Sequence, residues 1–142
     1  MKIHEGNFLY ALTAIRQRLF AFLEDEMAKG GIADIPPSFG DVLFVLDRRG
    51  PQTLQEIARH TMKDKSTVSS VVKRLEAAGY VTKEKGEGDA RFVKVALTAK
   101  AKRVKASMRG ISKKMNSRLF RGLSGGERNE LFRLLERVSG NL

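Results

Sequence analysis

Apolar positions along this chain switch from helical spacing to alternation and back again. Phe8, Leu12, Ile15, Leu19 and Phe22 fall 4, 3, 4 and 3 residues apart, a heptad seam that predicts an amphipathic helix. Leu9 and Leu23 widen the seam, Asn7 is a candidate N-cap, and Gly30-Gly31 ends the segment. A helix of about 20 residues reaches about 30 Å. That is long for one small core and suits a partner helix. After Pro36-Pro37, Ser38 is a candidate N-cap with Asp41 three residues on, and Phe39, Val42, Leu43 and Leu46 predict a short buried helix ending near Gly50-Pro51. Thr53 and Glu56 have the spacing of a capping box, in which hydroxyl and carboxylate each satisfy a free amide. The brief helix they start turns Leu54, Ile57 and Ala58 inward and ends near His60. Asp64 then caps a helix that runs to Gly79, a residue suited to a left-handed C-terminal turn. Helix, tight turn and helix make a helix-turn-helix. Residues 80–85 and 91–97 alternate on either side of Gly86-Glu87-Gly88-Asp89, which predicts a β-hairpin. Thr98 caps a further long helix with a seam of Ala101, Val104, Met108, Ile111 and Met115, and Lys102, Arg103, Arg109, Lys113 and Lys114 fall mostly on its other side. Ser124 and Glu127 form another capping box ahead of Leu131, Leu134, Leu135 and Val138.

The helix after Asp64 has two chemically distinct faces. At 100° per residue, Val68, Val71, Val72 and Leu75 share one side, while Ser66, Ser70, Lys73 and Ala77 lie opposite, flanked by Ser69 and Arg74. Serine is a mediocre helix former, and solubility alone would favour Glu, Lys or Gln on such a face. Short hydroxyls allow close approach to base edges in a DNA major groove and both donate and accept hydrogen bonds. Lys73 and Arg74 add cations for phosphate or guanine.

Charge sharpens this picture. The 142 residues carry 27 Lys+Arg and 16 Asp+Glu, a net charge of +11. Residues 1–50 are close to neutral, residues 51–121 hold 18 basic and 6 acidic side chains, and residues 122–142 balance. A directed positive field points to a polyanion. With no cysteine, disulfides, thiol nucleophiles, thiol redox sensing and cysteine-rich zinc sites are excluded. With only His4 and His60, no histidine metal cage is expected, and neither cofactor nor metal is called for. Leu123-Ser124-Gly125-Gly126-Glu127 looks like the signature loop of ABC ATPases, but the phosphate loop that motif needs is missing, and helix capping accounts for Ser124. No catalytic constellation emerges, so an enzyme is not expected. Glu5 precedes any apolar run and Arg16 and Arg18 interrupt it, so no leader is read, and the expectation is a soluble, cytoplasmic protein with no membrane partner.

The run Asp64-Lys-Ser-Thr-Val-Ser-Ser-Val-Val-Lys-Arg-Leu-Glu-Ala-Ala-Gly79-Tyr-Val resembles the recognition helix of the MarR (multiple antibiotic resistance regulator) family. Gly88-Asp89-Ala90-Arg91 and Val95-Ala96-Leu97-Thr98 resemble that family's wing and its Leu-Thr signature. Ile35-Pro-Pro-Ser38 departs from the Leu-Thr pattern common before the family's second helix. The resemblance implies a mainly α fold with a small β-hairpin wing: a winged helix-turn-helix over 38–97, with dimerisation helices in 1–31 and 98–142, all one domain. It also implies a homodimer on pseudopalindromic double-stranded DNA, usually repressing. Arg91 would reach the minor groove, with Asp89 as its acidic partner. Many members release DNA when a small molecule, often an aromatic acid, binds between the dimerisation and DNA-binding parts.

These readings yield three residue sets. The expected DNA contacts are Thr53, Lys65, Ser66, Thr67, Ser69, Ser70, Lys73, Arg74, Asp89 and Arg91. The dimer seams should include Phe8, Leu12, Ile15, Met115, Leu119, Leu131 and Leu135, because the terminal helices exceed what a helix-turn-helix needs. Candidates for an effector pocket, where an Arg among aromatics could hold a carboxylate, are Tyr10, Arg16, Phe39, Phe44 and Met108. The expected function is a sequence-specific DNA-binding regulator; the alternative is a non-specific basic nucleic-acid-binding protein.

Overall fold

The computed structural model describes residues 1–85 and 93–142. The turn at Gly86-Glu87-Gly88-Asp89 and the contacts expected of Asp89 and Arg91 lie outside the described residues. Helix α1 spans Phe8–Lys29, α2 Gly40–Arg49, α3 Leu54–Thr61, α4 Lys65–Ala77, α5 Ala99–Leu119 and α6 Gly125–Ser139. Strands β1 (Gln52–Thr53), β2 (Val81–Lys85) and β3 (Val93–Leu97) form one antiparallel sheet in the order β1-β3-β2. Val81 pairs with Leu97 and Lys85 with Val93, while Thr53 pairs with Lys94 on the other edge of β3. The fold is mainly helical with a small sheet, as the pattern predicts. Strand β1 escapes the pattern because two residues are too few to show alternation.

The core lies where α2, α3, α4 and the sheet meet. Val42, Ile57, Val68, Val72, Leu75 and Val95 are fully buried, with Tyr80 beside them. Met27 and Ile111 bring α1 and α5 into the same cluster, so the two long helices are anchored to the helix-turn-helix. Burying one such aliphatic side chain contributes about 1.5–3 kcal/mol.

The caps show which local signals fix the element starts. Thr53 and Glu56 form the reciprocal box: the Thr53 hydroxyl accepts from the Glu56 amide at 3.2 Å and a Glu56 carboxylate oxygen accepts from the Thr53 amide at 2.8 Å. Thr98 caps α5, and Ser124 with Glu127 boxes α6. Two expected caps differ. Ser38 makes no cap: Pro36-Pro37 initiate a 3-10 turn over Pro37–Phe39, Phe39 takes the N-cap position of α2, and its ring enters the core. Asp41 instead accepts from its neighbour's amide at Val42 and pairs with Lys63. Asn7 leaves the amides of α1 alone and braces the preceding turn, accepting from His4 N–H at 3.0 Å and donating to the Lys2 carbonyl at 3.0 Å.

Outside the core, the terminal helices carry uncovered apolar surface. Phe8, Leu12 and Ile15 on α1, Leu119 at the end of α5, and Leu131 and Leu135 on α6 are exposed, and Met115 is half-buried. Helix α6 buries none of its side chains. An edge-to-face contact between Phe120 and Phe132, with ring centroids 5.4 Å apart, links it to the end of α5. The seam residues just named are therefore on or near the surface of the single chain, whereas Ala101 and Ile111 of the α5 seam are buried in the chain's own core.

Candidate nucleic-acid interface

Helix α4 is oriented by its buried side. Val68, Val72 and Leu75 have no exposed surface and Val71 has 7%. The rotation is thus fixed, and Lys65, Ser66, Thr67, Ser70, Lys73 and Arg74 come to the exposed side with Ser69 half-buried at its edge.

Asp64 organises the entry to this face. Its Oδ1 accepts from the Thr67 amide at 2.7 Å and from the Ser66 hydroxyl at 2.6 Å, and its Oδ2 accepts from the Thr67 hydroxyl at 2.9 Å. Both hydroxyl protons are spent on the cap, so Ser66 and Thr67 present lone pairs to anything outside. The hydrogen bonds from Ser66 and then Thr67 hold the Asp64 carboxyl down at about 2. A carboxyl depressed in the folded state stabilises fully above its unfolded value and loses that contribution as pH falls through its folded value. Here the window runs from 3.8 down to about 2. Asp64→Asn keeps a capping acceptor without the titration. Its thermal midpoint is expected to fall less steeply than the parent's across that window, as read by circular dichroism; parallel curves would contradict the assignment.

Thr53 lies at the start of α3, next to Lys94 across the β1–β3 pair. The Thr53 backbone hydrogen bond, more than any other cause, lowers the Glu56 carboxyl from its ordinary value. The N-terminus of α3 thus holds the Glu56 carboxylate, and the Lys94 ammonium lowers that carboxyl further. The structure parts Lys73 and Arg74, which the sequence pairs as cations on the binding face. The Arg74 guanidinium lies 4.8 Å from the centroid of the Phe39 ring, a cation–π contact that draws it toward the end of the α1–α2 linker.

Of the five expected pocket residues, the structure brings two together. Phe44 and Met108 line a groove of about 460 Å³ between α2 and α5, floored by Leu43, Leu97, Ala101 and Val104. Phe39 is core instead, because its ring fills the space left by the linker. Tyr10 is exposed on α1 and does not line the groove, and Arg16 lies over the Phe20 ring of its own helix at 4.6 Å. The polar rim is a set that the pattern reading did not select. Asp47 pairs with Lys105 at 2.5 Å and with Arg109 at 3.8 Å across the groove. Helical spacing carried a usable signal: Lys105 and Arg109 are four apart and border the Val104–Met108 seam. Arg109 and Lys114, placed by the pattern mostly opposite the α5 seam, are exposed and pair with Asp47 and Glu26 on neighbouring helices.

A helix-turn-helix followed by an antiparallel hairpin, with a third strand closing the sheet before it, defines a winged helix-turn-helix protein. The sequence profile of the MarR family matches residues 33–91. Over that stretch, which holds α2 to α4 and β2, the chain carries the sequence signature of the MarR family. It is 29% identical over 101 residues to the HTH-type transcriptional repressor IacR of Pseudomonas putida, covering 71% of this chain and 60% of that protein. It is 33% identical over 97 residues to the uncharacterized HTH-type transcriptional regulator YkoM of Bacillus subtilis, covering 68% of this chain and 63% of that one. The chain thus spans less than two thirds of the length of these curated relatives. Among solved structures, Bordetella bronchiseptica BpsR, whose DNA binding is regulated by 6-hydroxynicotinic acid, superposes with a TM-score of 0.82 at 24% identity over 98% of both chains. Reduced AbfR bound to DNA superposes with a TM-score of 0.74 at 24% identity, over 96% of this chain and 91% of that one. At these identities the superpositions establish the fold.

Proposed function

We propose that this chain is a sequence-specific DNA-binding transcriptional regulator that acts as a homodimer and represses. The observation that carries the proposal is the two-sided α4: a wholly buried aliphatic side fixes its rotation, and the opposite side offers Ser66, Ser70 and Lys73 at the surface. Short hydroxyls followed by a cation fit the base edges and phosphates of a major groove. Lys65, Thr67 and Ser69 belong to the same contact, Thr53 meets the flanking phosphate, and exposed Arg74 contributes a cation from the edge of the face where it lies over Phe39. Asp89 and Arg91 complete the set at the minor groove, on the strength of the motif they share with the family. In this reading residues 38–97 are the DNA-binding unit, and 1–31 and 98–142 are the dimerisation helices. Exposed Phe8, Leu12, Ile15, Leu119, Leu131 and Leu135, with half-buried Met115, support a second copy as the cover. Two linked recognition helices read half-sites about 34–36 Å apart.

A small aromatic acid is the proposed effector, and the α2–α5 groove its seat, because Phe44 and Met108 stand in an apolar groove whose rim carries Arg48, Lys105, Arg109 and Lys113 around a single acid, Asp47. BpsR, with its regulation by 6-hydroxynicotinic acid, makes this chemistry the first to test. No described helix is long and apolar enough to cross a membrane.

Selection of bound sequences from a random DNA pool by the purified protein tests the central claim. A recovered pseudopalindrome should bind about 10³-fold or more tightly than random duplex at the same salt. A ratio near one would replace this reading with the non-specific basic binder that the net charge of +11 also suits.

A further inference from the structure

The exit of α4 is held more elaborately than its entry. The Thr98 hydroxyl donates to the Gly79 carbonyl at 2.5 Å, and the Thr98 amide donates to the Tyr80 carbonyl at 3.0 Å. Lys100 donates to the Ala78 carbonyl at 2.6 Å, and its ammonium lies 4.4 Å from the centroid of the Tyr80 ring. These contacts all come from the chain leading into α5. One group reaches them from elsewhere. Asp34, in the linker between α1 and α2, accepts from the Tyr80 hydroxyl at 2.7 Å through Oδ1 and from Lys100 at 2.6 Å through Oδ2. Ile32 and Ile35 on either side of Asp34 are buried, so the carboxylate projects from a fixed backbone. Upstream, Glu26 pairs with Lys114 of α5 at 2.7 Å.

We propose that Asp34 is a positioning residue for the recognition helix, a carboxylate that locks the exit of α4 to the α1–α2 linker and to the start of α5, and so sets the angle at which α4 meets DNA. The inference rests on the DNA-binding dimer described above. Magnitude supports a geometric role over a stabilising one. The Asp34–Lys100 pair is about 40% exposed on both sides, and pairs of that kind contribute at most about 1 kcal/mol to folding. Two directional bonds on one carboxylate nonetheless fix an orientation. Helix α4 has 13 residues, so at 1.5 Å per residue a tilt of about 5° at its exit moves its entry by about 2 Å. A shift of that size is enough to disrupt contacts that require hydrogen-bond geometry. The carboxyl of Asp34 is held below its ordinary value chiefly by Lys100, and the Tyr80 hydroxyl is pushed up to about 12 by burial and then by Asp34, so the lock is charged and intact at neutral pH.

The chain has no cysteine, so two can be introduced for spin labels, at Ser70 and Ser107, which sit on the exposed sides of α4 and α5. Labelled chains are diluted with unlabelled ones, so only the distance within one chain is read. Asp34→Asn and, separately, Tyr80→Phe are expected to broaden or shift that distance distribution while the thermal midpoint moves by no more than about 4 °C. On DNA, without labels, both variants should lose at least about fivefold of the parent's preference for correctly spaced half-sites over a site with one base pair inserted. The slope of affinity against salt should be unchanged, because no phosphate contact is removed. Asp34→Asn keeps an amide oxygen that can accept from the Tyr80 hydroxyl while losing the charge that holds Lys100, so the double variant should lose more than Asp34→Asn alone. An unchanged distance distribution in both variants overturns the proposal, whatever the DNA result. A parent chain that selects no operator would defeat the regulatory reading, and the distance measurement would still decide the role of Asp34.

Discussion

Replacing Leu131 and Leu135 together with glutamate is expected to give a monomeric chain that binds its operator at least about a hundredfold more weakly than the parent, since a linked second site raises avidity by 10²–10⁴. Both leucines are exposed on α6, which buries no side chain of its own, so the winged helix should keep its thermal transition. The damage falls on assembly. Two carboxylates brought into an apolar interface must lose water without gaining a partner, a cost of several kcal/mol per ion. A monomer can engage one half-site only. Sedimentation velocity gives the assembly state and fluorescence anisotropy with labelled operator gives the affinity. A variant that stays dimeric would place the subunit contact on surfaces other than α6.

Ser70→Glu is the second large effect, on recognition itself. Ser70 lies at the centre of the exposed side of α4, opposite Val68, Val72 and Leu75. Glutamate is a better helix former than serine, so the folded state should change by no more than about 0.5 kcal/mol. On DNA, a carboxylate placed among phosphates and base acceptors costs several kcal/mol, so operator affinity should fall by at least about a hundredfold. Ser70→Ala, which removes one hydroxyl and keeps the close approach, should lose far less. Equal operator binding by the parent and Ser70→Glu would move the contact off this face of the helix.

The parts of the fold that could be read beforehand are those set by local chemistry. Thr53 with Glu56, Asp64, Thr98, and Ser124 with Glu127 each carry their capping signal within four residues, and each caps the helix it precedes. The aliphatic stripe of α4 is equally local, since its four positions recur with the helical period. What escaped depends on partners distant in sequence. Ser38 looks like a cap until the Phe39 ring enters the core and hands the N-cap position to Phe39 itself. Arg74 looks like a twin of Lys73 until that same ring draws it aside. Asp34 carries no pattern of its own: its partners stand 46 and 66 residues away, and only the folded chain brings them together. The groove was half legible for the same reason. Met108 follows from the seam spacing of α5, whereas Phe44 stands outside the α2 stripe and the Asp47–Lys105 pair follows from how α2 and α5 pack.

In the proposed dimer, the bare flank of α6 would give dilution a selective effect. A lone helix of 15 residues is marginal in water. Once subunits part, the C-terminal end should fray and become open to proteases while the helix-turn-helix, with its own core, stays intact. Amide exchange along α6 would then track protein concentration, and exchange along α4 would not. The abundance of the chain would thereby control how much of it is folded.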